Sequence, residues 1–280
     1  MKSFLFGLAA SFALVFCLSG LSANADTITQ WNFDTVTAAP DNNPAPSIGS
    51  GIATPLGMDN GYTFSTGPNI ITGSGTFTPG GTVTTGSTTS CDITLNGSTP
   101  APSGLPNAWR VRGANTGNGW ALQAPQYTQG AEFTASTAGY SDIGFHFDWY
   151  STAQGVKNLQ EQYTLDGSSW ININAPLTAN SKGFLSSTQN IDFSGIPAAA
   201  NNPNFGVRLV SVYDNTLSPL NYGSADGKQS GVYNNNSGNW RFTNVGFSGT
   251  PAAVPEPSTF ALLAVGAIGL LGYARRKRNG

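Results

Sequence analysis

The most informative residues lie near the two ends of the chain, above all near the C-terminus. Near the C-terminus, Pro255, Glu256 and Pro257 stand before a stretch without charge, Phe260 to Ala274, and a cluster of four cations follows it: Arg275, Arg276, Lys277 and Arg278. An apolar stretch followed by cations is typical of a segment that stops in a membrane with its basic end in the cytoplasm. The tripeptide is then expected to lie just outside the lipid.

The apolar stretch is short for a permanent membrane anchor. Its 15 residues make only about 22 Å of helix, against a hydrocarbon core of about 30 Å. Ser258, Thr259 and arginines that reach back to the interface extend it slightly. We therefore predict a helix over about 258–274, a basic tail over 275–278, and temporary rather than lasting anchorage.

These parts, in this order over residues 254–280, resemble a PEP-CTERM sorting signal, with Pro255, Glu256 and Pro257 as the matching residues. The resemblance implies that a membrane transpeptidase-like enzyme, exosortase, recognises and removes the tail. It also implies a destination at the cell surface or in exopolysaccharide. The alternative is an ordinary single-pass anchor that happens to follow a Pro-Glu-Pro sequence.

The N-terminus predicts export. Lys2 precedes an apolar run from Phe4 to Leu21, and Ala23 and Ala25 supply the small-x-small pattern that signal peptidase cuts after. We predict a signal peptide over 1–25, an ectodomain over 26–253 and a sorting signal over 254–280. The ectodomain therefore lies outside the cytoplasmic membrane, at the cell surface or beyond it.

The charge and cysteine content of the exported part narrow its partners. Between Asp26 and Val254 there are seven basic and 13 acidic residues, a net charge of −6. Nucleic acid is excluded as a partner, because phosphate binding needs clustered lysines and arginines and here they are scattered. Cys91 is the only cysteine of this part, so it forms no disulfide within the chain. It is either a reactive thiol or a small residue of a poorly structured segment.

Many glycines, threonines and asparagines and little helical periodicity predict an all-β fold. The clearest strand covers Asp142 to Ser151, where large apolar residues alternate with others and one face is core. Asp166-Gly167 between two apolar runs predicts a hairpin. The other predicted strands are 27–34, 108–113, 119–122, 131–135, 161–165, 170–174, 190–193, 205–213 and 240–248. Residues 63–106, rich in Ser, Thr and Gly, are predicted to be a long loop or irregular edge hairpin.

The second half of the chain has a further resemblance. The runs 161–170, 191–197, 205–210 and 240–250 resemble the jelly-roll β-sandwiches of secreted bacterial proteins, similar in layout to galactose-binding-like and carbohydrate-binding modules. The resemblance implies a jelly-roll-like sandwich and specifies a fold better than a function. Thr243 stands where such relatives often have an aspartate, which puts a cation site at that position in doubt.

Residues suited to catalysis or metal binding show no recognisable pattern. His146 is the only histidine, and Glu132 and Glu161 sit in no paired-acid motif. We therefore predict no enzyme and no cofactor. A structural calcium ion is the one inorganic ligand considered, because oxygen donors stand at strand ends or on outward positions: Asp34, Asp142, Asp148, Asp192 and Asp214. The alternative is that these are ordinary solvated turn residues.

Sugar binding would depend on aromatic planes that stack on the C–H faces of pyranose rings. Most of the six tryptophans are predicted to be core, Trp149 and Trp170 above all, because a sandwich without disulfides needs them there. Trp120 and Tyr127 lie beside glycines or a proline and are the candidate carbohydrate contacts.

Taken together, these features predict an exported, exosortase-sorted protein with a structural or adhesive role next to exopolysaccharide. Its partners are signal peptidase and exosortase during export, the membrane before processing, and polysaccharide afterwards. A polysaccharide-binding module is the close alternative, and a secreted hydrolase is the distant one.

Overall fold

The computed structural model of the protein describes residues 24–33, 43–57, 69–72, 101–104, 107–111, 125–217, 220–226, 238–252, 266–270 and 274–278. These ranges contain thirteen strands, one short 3-10 helix, Pro197–Ala199, and α-helical residues at 266–270 and 274–278. The strands are β1 (Asp26–Trp31), β2 (Ile48–Gly49), β3 (Ile52–Leu56), β4 (Asn69–Thr72), β5 (Asn107–Val111), β6 (Gly130–Thr134), β7 (Tyr140–Ser151), β8 (Asn158–Thr164), β9 (Ile171–Thr178), β10 (Gly183–Phe184), β11 (Gln189–Asp192), β12 (Gly206–Ser211) and β13 (Trp240–Pro251).

The strands form two antiparallel sheets. The eight-stranded sheet has the order β10-β7-β13-β1-β2, with β11 also paired to β7, β5 to β13, and β4 to β5. The five-stranded sheet has the order β3-β6-β12-β8-β9. This arrangement confirms the predicted all-β class and is that of a β-sandwich.

Aromatic side chains from both sheets fill the space between them. Phe133 of the five-stranded sheet contacts Trp31 of the other, with ring centroids 5.4 Å apart, and Phe145 lies 4.7 Å from Phe247. The alternation predicted for β7 is confirmed, because its large apolar residues are all buried: Ile143, Phe145, Phe147 and Trp149. Full burial of each such side chain stabilises the fold by about 1.5–3 kcal/mol.

The opposite face of β7 is also covered towards its C-terminal end. Asp148 and Tyr150 are fully buried there. Tyr150 packs edge-on against Phe184 at 5.2 Å, and the backbone N–H of Ser103 donates to Asp148 Oδ2 at 3.0 Å. A second, smaller core of Ala101, Ala108, Tyr150 and Phe184 therefore lies outside the sandwich.

Most predicted strands are present with shifted ends, and three strands were not predicted: β2, β3 and β10. Strand β4 falls inside the segment 63–106 and pairs with β5; apart from 69–72 and 101–104, that segment lies outside the described residues. The predicted strand over 119–122 lies outside the described residues.

The Asp-Gly hairpin is confirmed between β8 and β9, with Tyr163 opposite Ile171 and Gln162 opposite Asn172. Its turn is built by Asp166, whose Oδ1 accepts the backbone N–H groups of Ser168 and Ser169 at 2.7 and 2.6 Å. Those hydrogen bonds hold the pKa of the exposed Asp166 well below its usual range. Gly167 adopts a φ of 77°, which favours glycine.

At the chain ends, residues 1–23, with Ala23 of the predicted signal-peptide cut, lie outside the described part. Ala25 is exposed just before β1, and Asp26 pairs with Gly249 of β13. Residues 266–270 and 274–278 are helical and exposed, so the four basic residues Arg275, Arg276, Lys277 and Arg278 lie within helix. Among the described residues, the structure contains no helix of the length and apolarity needed to cross a membrane.

Candidate functional site

One row of side chains crosses all five strands of the smaller sheet on the face turned away from the core. The row follows from the register of the strand pairs. Each member alternates along its strand with core residues, as Arg208 does with Val207 and Leu209. We call it the outer row, and in spatial order it consists of Thr54, Glu132, Arg208, Gln162 and Asn172.

The centre of the outer row is an ion pair that carries an aromatic ring. Arg208 Nε donates to Glu132 Oε2 at 2.8 Å, and both side chains are about a quarter exposed. The guanidinium carbon of Arg208 lies 3.8 Å from the centroid of the Trp170 ring. The ion pair with Glu132 and the stacking on Trp170 together fix the side chain of Arg208. Arg208 in turn holds the partly exposed Trp170 ring flat over the sheet.

Amide groups continue the row towards β9. Gln162 Nε2 donates to Asn172 Oδ1 at 2.8 Å, which fixes the orientation of both amides. Asn172 is exposed, whereas Gln162 is largely buried. An aromatic plane, two oriented amides and a charged pair therefore meet on one surface.

A recess of about 400 Å³ lies beside this surface, and we call it the Thr134 recess. Thr134 follows Glu132 on the same face of β6, and Gly206 of β12 pairs with it. A Cβ at Gly206 would come within 2.9 Å of the Thr134 methyl. Glycine at this position therefore leaves room for that methyl group to form the bottom of the recess. The walls come from Ile52, Pro203, Asn204 and Gly167, the last in the same turn as Trp170.

The prediction that Trp170 lies in the core was wrong, whereas the same prediction for Trp149 is confirmed. Trp149 sits inside an alternating strand with buried neighbours, but Trp170 ends a turn, just before β9, where no alternation exists to judge it by. Of the predicted sugar contacts, Trp120 lies outside the described residues. Tyr127 is partly buried, has a φ of 67° and lies before β6, away from Trp170. The alternation around Glu132 and Arg208 was the signal that could have located the outer row.

The two glutamates considered for catalysis lie on opposite faces of the same sheet. Glu132 belongs to the outer row, whereas Glu161 pairs with Leu209 on the core side and is only 3 % exposed. Burial raises the pKa of Glu161, and a hydrogen bond from Asn174 Nδ2 at 2.8 Å offsets part of that rise. These two groups cannot flank one glycosidic bond.

His146 lies on the other sheet and contacts Gln30, with Nε2 and Oε1 3.2 Å apart. Burial lowers the pKa of His146, and the nearby charge of Asp148 offsets part of that effect. Gly246 makes room for this contact, because a Cβ there would come within 2.8 Å of the imidazole. The arrangement fixes β1 against its neighbours.

The aspartates considered for calcium are spread over the molecule and bind protein groups. Asp142 accepts the Ser141 hydroxyl, and Asp192 accepts the Ser194 backbone N–H and hydroxyl. Asp148 is buried opposite Thr243, Asp214 pairs with Lys157, and Asp34 lies outside the described residues. Within the described part of the chain, no three His, Cys, Asp or Glu residues are grouped to hold a metal ion.

The described residues thus define a β-sandwich and, near the C-terminus, the short helical stretches 266–270 and 274–278. Comparison with known families identifies residues 253–278 as a PEP-CTERM protein-sorting motif. The chain therefore carries the signal of an exported protein that exosortase processes, and Pro255, Glu256 and Pro257 lie within the matched residues.

Two further comparisons add little. No curated protein matches the chain. A solved structure titled "CBM4 structure and function" is similar over 50% of this chain and 82% of that one, with 13% identity and a TM-score of 0.26. A similarity of that strength carries no argument about this protein.

Proposed function

We propose that this is an exported, exosortase-sorted surface or matrix protein whose jelly-roll-like sandwich holds exopolysaccharide without chemically changing it. The role is structural and adhesive, and sugar binding at the outer row is the means by which it acts. The single observation that carries the proposal is the Trp170 ring, held over Arg208 beside the Gln162 and Asn172 amides.

The chemistry of that surface suits a pyranose chain. A flat aromatic ring packs against the C–H face of a sugar, while amides and a charged pair bind its hydroxyls. Arg208 covers one face of Trp170, so a sugar would have to stack on the other face. The Thr134 recess lies beside it and extends the surface across the strands.

Binding without hydrolysis is the function that the carboxylates favour. Glu132 is held by Arg208, and Glu161 faces the core with a raised pKa. A glycosidase needs two carboxyl groups on either side of one bond. The secreted hydrolase would need a different pair of acids, and no observation favours one.

The glycan test uses the exported part, Asp26 to Ala252, which contains all thirteen described strands. We expect it to bind polysaccharide on a glycan array, and we expect Trp170→Ala to weaken binding about tenfold, equivalent to about 1.4 kcal/mol. Ile48→Ala is the matched control, because Ile48 is 50% exposed on the other sheet. Absence of binding to every glycan on the array, or binding by Trp170→Ala equal to that of the wild type, contradicts the proposal.

The sorting claim has its own test. A peptide tag placed after Gly280 should separate from the sandwich in a host with exosortase and stay attached in a host that lacks the enzyme. Replacing Glu256 by Ala in the first host should slow the separation. A tag retained in both hosts would mean a permanent anchor.

A further inference from the structure

A second recess, of about 410 Å³, lies at the opposite end of the five-stranded sheet from Trp170. Its volume falls within the range of about 300–1,000 Å³ that small-ligand sites occupy. It lies at the ends of β8, β9 and β12, and we call it the Lys157 recess. Its lining includes Gln126, Lys157, Thr178, Asp214, Asn215 and Leu220.

A fixed ion pair forms the charged part of this recess. Lys157 Nζ lies 2.5 Å from Asp214 Oδ2, and the side chains are 24% and 5% exposed. Asp214 Oδ1 also accepts the backbone N–H and the hydroxyl of Thr216. Burial raises the pKa of Asp214, but the hydrogen bonds from Lys157 and Thr216 outweigh it and leave the pKa below its usual value. Asp214 is therefore a buried anchor, and the lysine is the partner that reaches the recess.

The surrounding contacts keep this pair in place. Gly223 accepts the backbone N–H of Lys157 at 2.9 Å, and a Cβ at Gly223 would come within 2.7 Å of Asp214 Oδ2. Thr178 donates to Asn158 Oδ1 at 3.1 Å, and Asn158 Nδ2 donates to the Tyr213 carbonyl at 3.3 Å. The polar wall of the recess is therefore built before any ligand arrives, which lowers the entropy cost of binding.

The ligand chemistry follows from the charges and the rim. The ammonium group of Lys157 has three N–H donors, and Asp214 accepts one of them. The other donors remain for the hydroxyl groups of a ligand. Asp214 cancels the positive charge, and the exported part is acidic overall, which disfavours an anionic sugar. Leu220, 61% exposed, and Pro176, also exposed, supply apolar surface for C–H faces.

We propose that the Lys157 recess is a second binding site for neutral polysaccharide, so that one molecule holds glycan at both ends of the same sheet. Asn158 and Thr164, at the two ends of β8, are about 20 Å apart at the usual rise of a strand. Two glycan segments can therefore bind to one molecule and be linked by it. This inference rests on the proposed function.

The test measures binding of the Asp26 to Ala252 part by affinity electrophoresis in gels containing dextran, laminarin or xylan as neutral probes, or alginate as the acidic probe. Asn215→Trp fills the recess from an exposed position and leaves the ion pair intact. Asn190→Trp, on the exposed edge of the other sheet, is the matched control. Thermal melting confirms that each variant folds.

We expect Trp170→Ala and Asn215→Trp each to leave residual retardation by one neutral probe, with an apparent affinity about tenfold weaker, and the double variant to lose retardation. Loss of all retardation in Trp170→Ala, with Asn215→Trp equal to wild type, overturns the second site and keeps the proposed function. If alginate retards the wild type and Asn215→Trp removes that retardation, the proposal that the ligand is a neutral polysaccharide is overturned. No retardation of the wild type by any probe contradicts both proposals.

Discussion

At the scale of single residues, Glu161 is a group whose environment opposes its ionised form. Its carboxyl group is buried on the core side of β8, and burial raises its pKa above the ordinary value of 4.5. The protonated form therefore stabilises the fold. That contribution is fully present below pH 4.5 and is lost as the pH rises through the folded-state pKa.

Replacing Glu161 by Gln should remove this pH dependence. The amide is neutral at every pH, and its oxygen can still accept the hydrogen bond from Asn174. We expect the urea midpoint of Glu161→Gln to exceed that of the wild type at neutral pH and to approach it below pH 4.5. Glu132→Gln is the control, because Arg208 stabilises that carboxylate. A lower midpoint for Glu161→Gln at neutral pH would contradict the assignment.

The same scale shows which site residues could be predicted. The alternating pattern predicted correctly that Trp149 is buried, because Trp149 and its neighbours in the pattern belong to one long strand. Trp170 has no such neighbours, and its position depends on Arg208, which comes from a strand 38 positions later. Sequence spacing alone does not reveal a contact between a turn and a distant strand.

At the scale of elements, the turn between β8 and β9 positions Trp170. Gly167 has a φ of 77° and open space around its Cα, so a methyl group there would be strained by the backbone alone. We expect Gly167→Ala to cost about 1 kcal/mol of unfolding free energy. We also expect weaker glycan binding, because the turn carries Trp170.

Gly195→Ala provides the matched control for this effect. Gly195 also has open space around its Cα, but its φ does not fall in the left-handed region. The urea midpoint of Gly195→Ala should equal or exceed that of the wild type, since alanine restricts the unfolded chain more than glycine does. Equal destabilisation by the two substitutions would mean that φ is not the cause.

Strands with a strong alternating pattern were predictable, whereas short ones were not. β7 and β13 contain 12 residues each, and large apolar side chains alternate along β7 and on either side of the bulge in β13. β2 and β10 have two residues each, too few to show a period. β3 contains Pro55, which argues against a strand from sequence, yet as an edge strand it pairs on one side with β6.

At the scale of the whole molecule, both chain ends leave from the same side of the sandwich. Asp26, at the start of β1, pairs with Gly249 near the end of β13, and Pro251 pairs with Tyr140. The start of β1, where the predicted signal-peptide cut lies, and the end of β13 are therefore close in space. The Lys157 recess lies at the other end of the strands.

The short distance along the chain between β13 and the sorting motif predicts that removal of the tail depends on the fold. The backbone N–H of Ala252 still donates to Gly139 O at 2.7 Å, and only Ala253 and Val254 separate Ala252 from Pro255. Three peptide steps span at most about 11 Å. An enzyme that cuts near Pro-Glu-Pro must hold the chain on both sides of the bond, so it competes with the end of β13 for these residues.

A flexible spacer should therefore speed removal of the tail. Six Gly and Ser residues inserted between Ala253 and Val254 add up to about 20 Å of reach, and we expect tag release in a pulse-chase experiment to become several-fold faster. Ala252→Pro, which removes the N–H donor to Gly139, should have the same effect in smaller measure. The same six residues inserted after Gly167 are the control and should leave the rate unchanged. Equal rates for all the chains would mean that the enzyme cuts without freeing any part of β13.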